Sequence, residues 1–146
     1  MAQGNDAGFT VEEKAAMKQR AAELRSTKGL KGAAKMAREL EACVETIDAL
    51  DGIDGEVARV VHRIVGEEAP HLAPKTFYGF PAYADAGTVV LFVQPQSKFD
   101  TRYTTLGFQD SAHLDDSDMW ATSFAVVAVN AAVEEKIRGL VRKAAG

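Results

Sequence analysis

The spacing of apolar residues divides the chain into a helical half and a strand-rich half. Phe9-Thr10-Val11-Glu12-Glu13 opens a first helix, because the Thr10 hydroxyl can take free N–H groups of the first turn and Glu13 falls at the reciprocal capping-box position. This helix is expected to end near Ser26. Its apolar positions, Val11, Ala15, Met17, Ala21 and Leu24, are mostly small, so burial stabilises it little and loose packing is expected. Gly29 and Gly32 mark a linker. A second helix follows over 33–50, where Met36, Leu40, Cys43, Val44, Ile47 and Leu50 recur at helical spacing as a core stripe. Asp51-Gly52-Ile53-Asp54-Gly55 reads as a turn, with Asp54 as N-cap of a third helix. Val57, Val60, Val61, Ile64 and Val65 form the inner side of that helix, and Pro70 and Pro74 stop it.

From Lys75 onward, aromatic and β-branched residues dominate, punctuated by glycine and proline. Strands are predicted over 75–78, 82–84, 88–94, 102–108 and 122–128. Asp85-Ala86-Gly87 is a hairpin turn between the second and third. Val89-Val90-Leu91-Phe92-Val93 lacks alternation, which predicts a central strand with both faces covered. Asn130 caps a last helix that turns Val133, Ile137, Leu140 and Val141 inward. The links between strands are too short for parallel crossovers. The expected fold is therefore α+β: an antiparallel sheet of about five strands with helices packed on it, a two-layer sandwich, preceded by a helical extension. Residues 1–32 would be the extension and linker, and 33–146 the domain.

A length of 146 residues, 47% of them hydrophobic and 26% charged, supports an ordinary buried core and excludes disordered, collagen-like and disulfide-framework classes. The formal charge of −4 argues against nucleic acid as a partner. Charge is unevenly placed: 11–38 holds eight bases and three acids, whereas 39–56 holds seven acids and no base. Cys43 is the sole cysteine, which excludes an internal disulfide, and its apolar neighbours suit a small buried hydrophobe better than a reactive thiol. The opening Met1-Ala2-Gln3-Gly4-Asn5-Asp6 has neither a basic start nor an apolar run, so no secretory signal is expected there. No apolar stretch is long enough to span a membrane, and a cytoplasmic location is the expectation.

Phosphate-loop, dinucleotide and nucleophile-elbow motifs are absent, so candidate chemistry rests on clusters. Glu41, Glu45 and Asp48 share one face of the second helix and form an acidic ridge, extended by Asp51 and Asp54. Such carboxylates attract cations weakly, or simply solvate the helix. Asp110-Ser111-Ala112-His113-Leu114-Asp115-Asp116-Ser117-Asp118 is the densest set of hard oxygen ligands, suited to iron or manganese, with a loop entering a short helix as the plain alternative. Its metal-ligand candidates are Asp115, Asp116 and Asp118. Lys75, Tyr78, Tyr83, Lys98, Arg102, Tyr103 and Trp120 mix aromatic and cationic groups, as a hollow for a small anion or partner would. The alternative is a sheet face over which cationic side chains snorkel.

Ala73-Pro74-Lys75-Thr76-Phe77-Tyr78-Gly79-Phe80-Pro81-Ala82-Tyr83, Lys98-Phe99 through Arg102-Tyr103-Thr104-Thr105-Leu106-Gly107-Phe108, and Leu114-Asp115-Asp116 through Met119-Trp120-Ala121-Thr122-Ser123-Phe124 together resemble the YdhG-like family, a bacterial domain of unknown function. The likeness runs from about Glu41 to the C-terminus, and it departs from the family pattern at Ala121, where proline is expected. The resemblance implies a frataxin-like sandwich and, for some relatives, an intracellular iron-chaperone role. That role would use exposed carboxylates, here Glu41, Glu45 and Asp48, and deliver iron to a protein acceptor.

Overall fold

A computed structural model describes residues 8–146, so the signal-free reading of Met1 to Asp6 lies outside the described residues. Three helices come first: α1 (Val11–Ser26), α2 (Gly32–Asp48) and α3 (Gly52–Glu68). Strands β1 (Ala73–Phe77), β2 (Phe80–Asp85) and β3 (Thr88–Gln94) follow, then a single helical turn α4 (Gln96–Phe99), β4 (Thr104–Phe108), β5 (Ser123–Val126) and a final helix α5 (Ala131–Ala145). Each strand pairs antiparallel with its sequence neighbour, giving one open sheet in the order β1-β2-β3-β4-β5. This is the α+β architecture the residue pattern predicts. No helix among the described residues is long and apolar enough to cross a membrane.

The local signals act as expected. Thr10 Oγ1 accepts from Glu13 N–H at 3.0 Å, and Glu13 Oε1 accepts from Thr10 N–H at 2.9 Å, closing the capping box of α1. Asn130 Oδ1 accepts from Val133 N–H at 3.0 Å and caps α5. The Asp85–Thr88 pair closes on Ala86 and Gly87, both at positive φ, as a tight hairpin requires.

The main core lies on one face of the sheet. Tyr83, Leu91, Val93, Leu106 and Phe108 meet Cys43 and Ile47 of α2, Val57, Val61, Ile64 and Val65 of α3, and Ile137 and Val141 of α5. Glu68 clamps α3 to α5 by accepting from Arg138 and from Arg142 Nε at 2.6 Å. The opposite face carries a smaller aromatic cluster. Phe80 is buried there and its ring meets those of Phe77, Phe92 and Phe99 at centroid distances of 5.4–5.9 Å. The far end of the Phe92 ring lies against Gly107 of the neighbouring strand, where an added Cβ would come within 2.2 Å of it. β3 is thus the central strand, as its apolar run predicts.

Two expectations need correction. Of the α2 stripe, Cys43, Ile47 and Leu50 are buried, whereas Met36, Leu40 and Val44 are exposed. Val44 is turned about 100° from its neighbour Cys43, whereas Met36 and Leu40 lie on nearly the same side as Cys43 and Ile47 but one to three turns nearer the start of α2, where residues 32–37 are all exposed. Asp54 is not an N-cap. Asp51 occupies that position, and Asp54, inside the first turn of α3, is buried. Its carboxylate accepts hydrogen bonds from Gln96 N–H (2.8 Å), Ser97 N–H (3.2 Å), Ser97 Oγ (2.8 Å) and Thr104 Oγ1 (2.6 Å). It therefore caps α4, whose own N-cap residue, Pro95, has no side-chain hydrogen bond to offer.

Two outcomes follow for stability. Gly107→Ala forces Phe92 off its seat and is expected to cost about 1–3 kcal/mol by denaturant unfolding. Burial alone would raise the Asp54 pKa, but the hydrogen bonds from Thr104, Gln96 and Ser97 together outweigh it and hold the carboxyl below its ordinary 3.8. Its contribution is complete above that value, because both folded and unfolded states are then ionised. It is lost as pH falls from there through the native value, since the unfolded chain takes up the proton first. Asp54→Ala should lower stability at neutral pH by about 2–4 kcal/mol and flatten this part of the acid profile.

Candidate functional site

Phe77 pairs with Phe80, so Tyr78 and Gly79 alone make the turn between β1 and β2. Both have positive φ, 55° and 85°, which a two-residue turn of this hand requires. Glycine adopts that region freely, but a bulky aromatic residue does so seldom and at a cost of roughly 1 kcal/mol or more. In such a turn the amides of the two central residues point away from the hairpin and are not used by the ladder. Here they converge on one acceptor: Tyr78 N–H donates to Glu23 Oε1 at 3.0 Å and Gly79 N–H to Glu23 Oε2 at 2.7 Å. Adjacent amides aimed at one point make an anion-binding nest.

The carboxylate that fills this nest comes from α1, a helix with no buried residue. Arg20, one turn earlier on α1, lies over the rings of Phe77 and Tyr78, 5.3 and 5.9 Å from their centroids, and is 3.4 Å from Glu23 Oε1. From the other side, Lys98 Nζ donates to the Gly79 carbonyl at 2.8 Å. A Cβ on Gly79 would press on the Gln19 side chain at 3.0 Å, so the glycine also sets how closely α1 approaches. Clefts flank Glu23 and the turn on both sides. One, of about 220 Å³, is lined by Arg20, Glu23, Lys35, Glu39, Lys75 and Thr76 among others. The second, of about 240 Å³, includes Gln19, Tyr78, Lys98 and Phe99.

Of the residues singled out for ligand binding, Tyr78 and Lys98 are brought together at this turn. Lys75 lines the adjoining cleft, with its ammonium 3.2 Å from Glu39. Arg102 and Tyr103 precede β4 and stack on each other, guanidinium 5.6 Å from the ring centroid. Trp120 borders a separate groove with Met119, Phe124, Leu140 and Lys143. Tyr83 is in the main core, its hydroxyl 2.9 Å from His62 Nδ1. Burial pushes the Tyr83 phenol well up, the Cys43 thiol beside it up to about 11, and the His62 imidazole down. All three are held neutral, and Cys43 is the buried hydrophobe its neighbours suggested.

Glu41, Glu45 and Asp48 are exposed on α2, and Glu41 is 3.1 Å from Arg38 on the same helix. Asp54, counted with that ridge in the sequence, is turned into the fold instead. Asp115, Asp116 and Asp118 are exposed in a loop that forms no helix. Among the described residues, no group of three or more His, Cys, Asp or Glu side chains is gathered as a metal-holding set. Glu23 and Arg20 were not legible as site residues. Their one signal is the two-residue Tyr-Gly loop between paired phenylalanines, and tyrosine hides it because it is not a usual turn residue.

Comparisons with known proteins leave the likeness to the YdhG-like family resting on its motifs: no family model matches the chain, and no curated protein or solved structure does either.

Proposed function

We propose that this protein is a binding module for a small anionic ligand, a carboxylate or phosphate ester, seated on the amides of Tyr78 and Gly79. The observation that supports this reading is the Glu23 carboxylate, which accepts from both amides and so displays the chemistry the turn accepts. Lys98 and Arg20 add positive charge beside the nest, and Tyr78 and Phe77 add aromatic walls. Glu23 is an internal competitor on a helix held by little apolar contact, so an incoming anion displaces one carboxylate rather than opening a packed core.

Two measurements check this. Glu23→Ala removes charge-assisted hydrogen bonds worth about 1–3 kcal/mol. Hydrogen exchange at the Tyr78 and Gly79 amides should therefore speed up at least about tenfold, with the core strands unchanged. Titration of inorganic phosphate or succinate, followed by amide chemical shifts, should move Tyr78 and Gly79 saturably. Glu23→Gln should bind on the order of tenfold tighter than wild type, because the competitor is gone. Absence of saturable shifts at these two amides in either protein overturns the reading. The family resemblance implies iron carriage instead, supported by the exposed carboxylates of Glu45 and Asp48. Anaerobic ferrous iron that shifts α2 while the anions shift nothing would favour that role.

A further inference from the structure

The seat on the Tyr78 and Gly79 amides opens to one side. Glu23, which fills it, also forms part of the wall of the cleft of about 220 Å³ between α1, α2 and β1, so a group that replaces its carboxylate is continuous with that cleft. The cleft on the other side of the turn is lined by Tyr78, Lys98 and Phe99 but not by Glu23. The first cleft therefore receives the remainder of a ligand held at the nest.

Its charge follows from how three elements meet. Lys35 and Glu39 are four residues apart on α2, a spacing at which they would ordinarily pair with each other. β1 takes Glu39 away: its Lys75 ammonium lies 3.2 Å from that carboxylate, with both side chains largely shielded from water. Lys35 is exposed, and among the described residues it has no ion-pair partner. Arg20 of α1 is paired with Glu23 and loses that partner when Glu23 leaves the amides. The charged groups lining the cleft are thus Arg20, Lys35 and Lys75 against Glu23 and Glu39. Once Glu23 is displaced, three cations face one carboxylate.

A ligand with one anionic group on the nest leaves that excess unmatched, and a second anionic group matches it. The geometry of the seat favours a carboxylate there, because the two amides donate to different oxygens of one planar group. Size sets the other limit. The cleft holds roughly seven waters' worth of volume, which suits a short chain and not a nucleotide. We infer that the ligand is a short-chain dicarboxylate, with one carboxylate on the Tyr78 and Gly79 amides and the other beside Lys35 and Lys75. Lys35 supplies most of the second attraction, since Lys75 is shared with Glu39. The inference rests on the anion reading above and names its chemical class.

The test compares succinate with butyrate, which has the same chain length and a single carboxylate, by titration of the Tyr78 and Gly79 amide shifts in the full chain. Succinate is expected to bind on the order of tenfold more tightly. Lys35→Gln, at an exposed helix position that leaves the fold intact, should cut this ratio about threefold or more while changing butyrate little. Glu39→Gln frees Lys75 and should widen the ratio. If that variant does not fold, Lys35→Gln decides. Equal affinities for the two acids, with saturable shifts at both amides, leave the nest standing and overturn the dicarboxylate. So does a ratio that Lys35→Gln leaves unchanged, or one that a folded Glu39→Gln fails to widen. Neither acid shifting the two amides overturns both readings together.

Discussion

The Asp54 carboxylate joins α3 to α4 and to β4, parts of the chain more than forty residues further on. It sits in the first turn of α3 and receives donors from the backbone of α4, from Ser97 and from Thr104 at the start of β4. An isolated charge buried there would be costly, but one that accepts four hydrogen bonds is held ionised and sets the geometry around it. The link fixes where β3 ends and β4 begins relative to the helical layer. It also positions α4, and so holds Lys98 and Phe99 against the β1–β2 turn.

The sheet is covered unequally on its two faces, and this shapes what each can do. Branched and aromatic side chains interlock on the face that α2, α3 and α5 cover. The other face relies on a chain of phenylalanine contacts, with Phe92 occupying the space that Gly107 leaves open. α1 lies against this thinner side through a carboxylate, a guanidinium and an amide side chain, with none of its residues buried. Polar contacts of this kind are specific in direction yet exchange readily with water or another anion. A helix held so is suited to yield its place, whereas α2 and α3 are not.

Legibility followed the range of the interaction. The capping box at Thr10 and Glu13, the Asn130 cap and the Ala86-Gly87 turn each involve residues a few positions apart, and each forms as the pattern predicts. The strand run around Leu91 was legible because continuous apolarity suits only a strand covered on both sides. The role of Asp54 was not, since its donors lie more than forty residues away and its nearest sequence neighbours resemble an ordinary helix start. Tyr78 concealed a tight turn because its side chain argues for a strand, while the ladder on either side imposes the left-handed conformation.

By itself the sequence determined the long helices and the strands, the caps at Thr10 and Asn130 and the α+β class, because hydrophobic period and turn chemistry act within a few residues. Tertiary structure alone decided which polar groups meet. It divided the aromatic and cationic candidates between the β1–β2 turn, the main core and the β5 edge, and it brought Glu23 to amides more than fifty residues away. It also turned Asp54 from a helix terminus into the capping partner of another element. The physical reason is that a buried or half-buried polar group must find its partner wherever the packing of apolar faces happens to place one. Local spacing along the chain carries no record of that encounter.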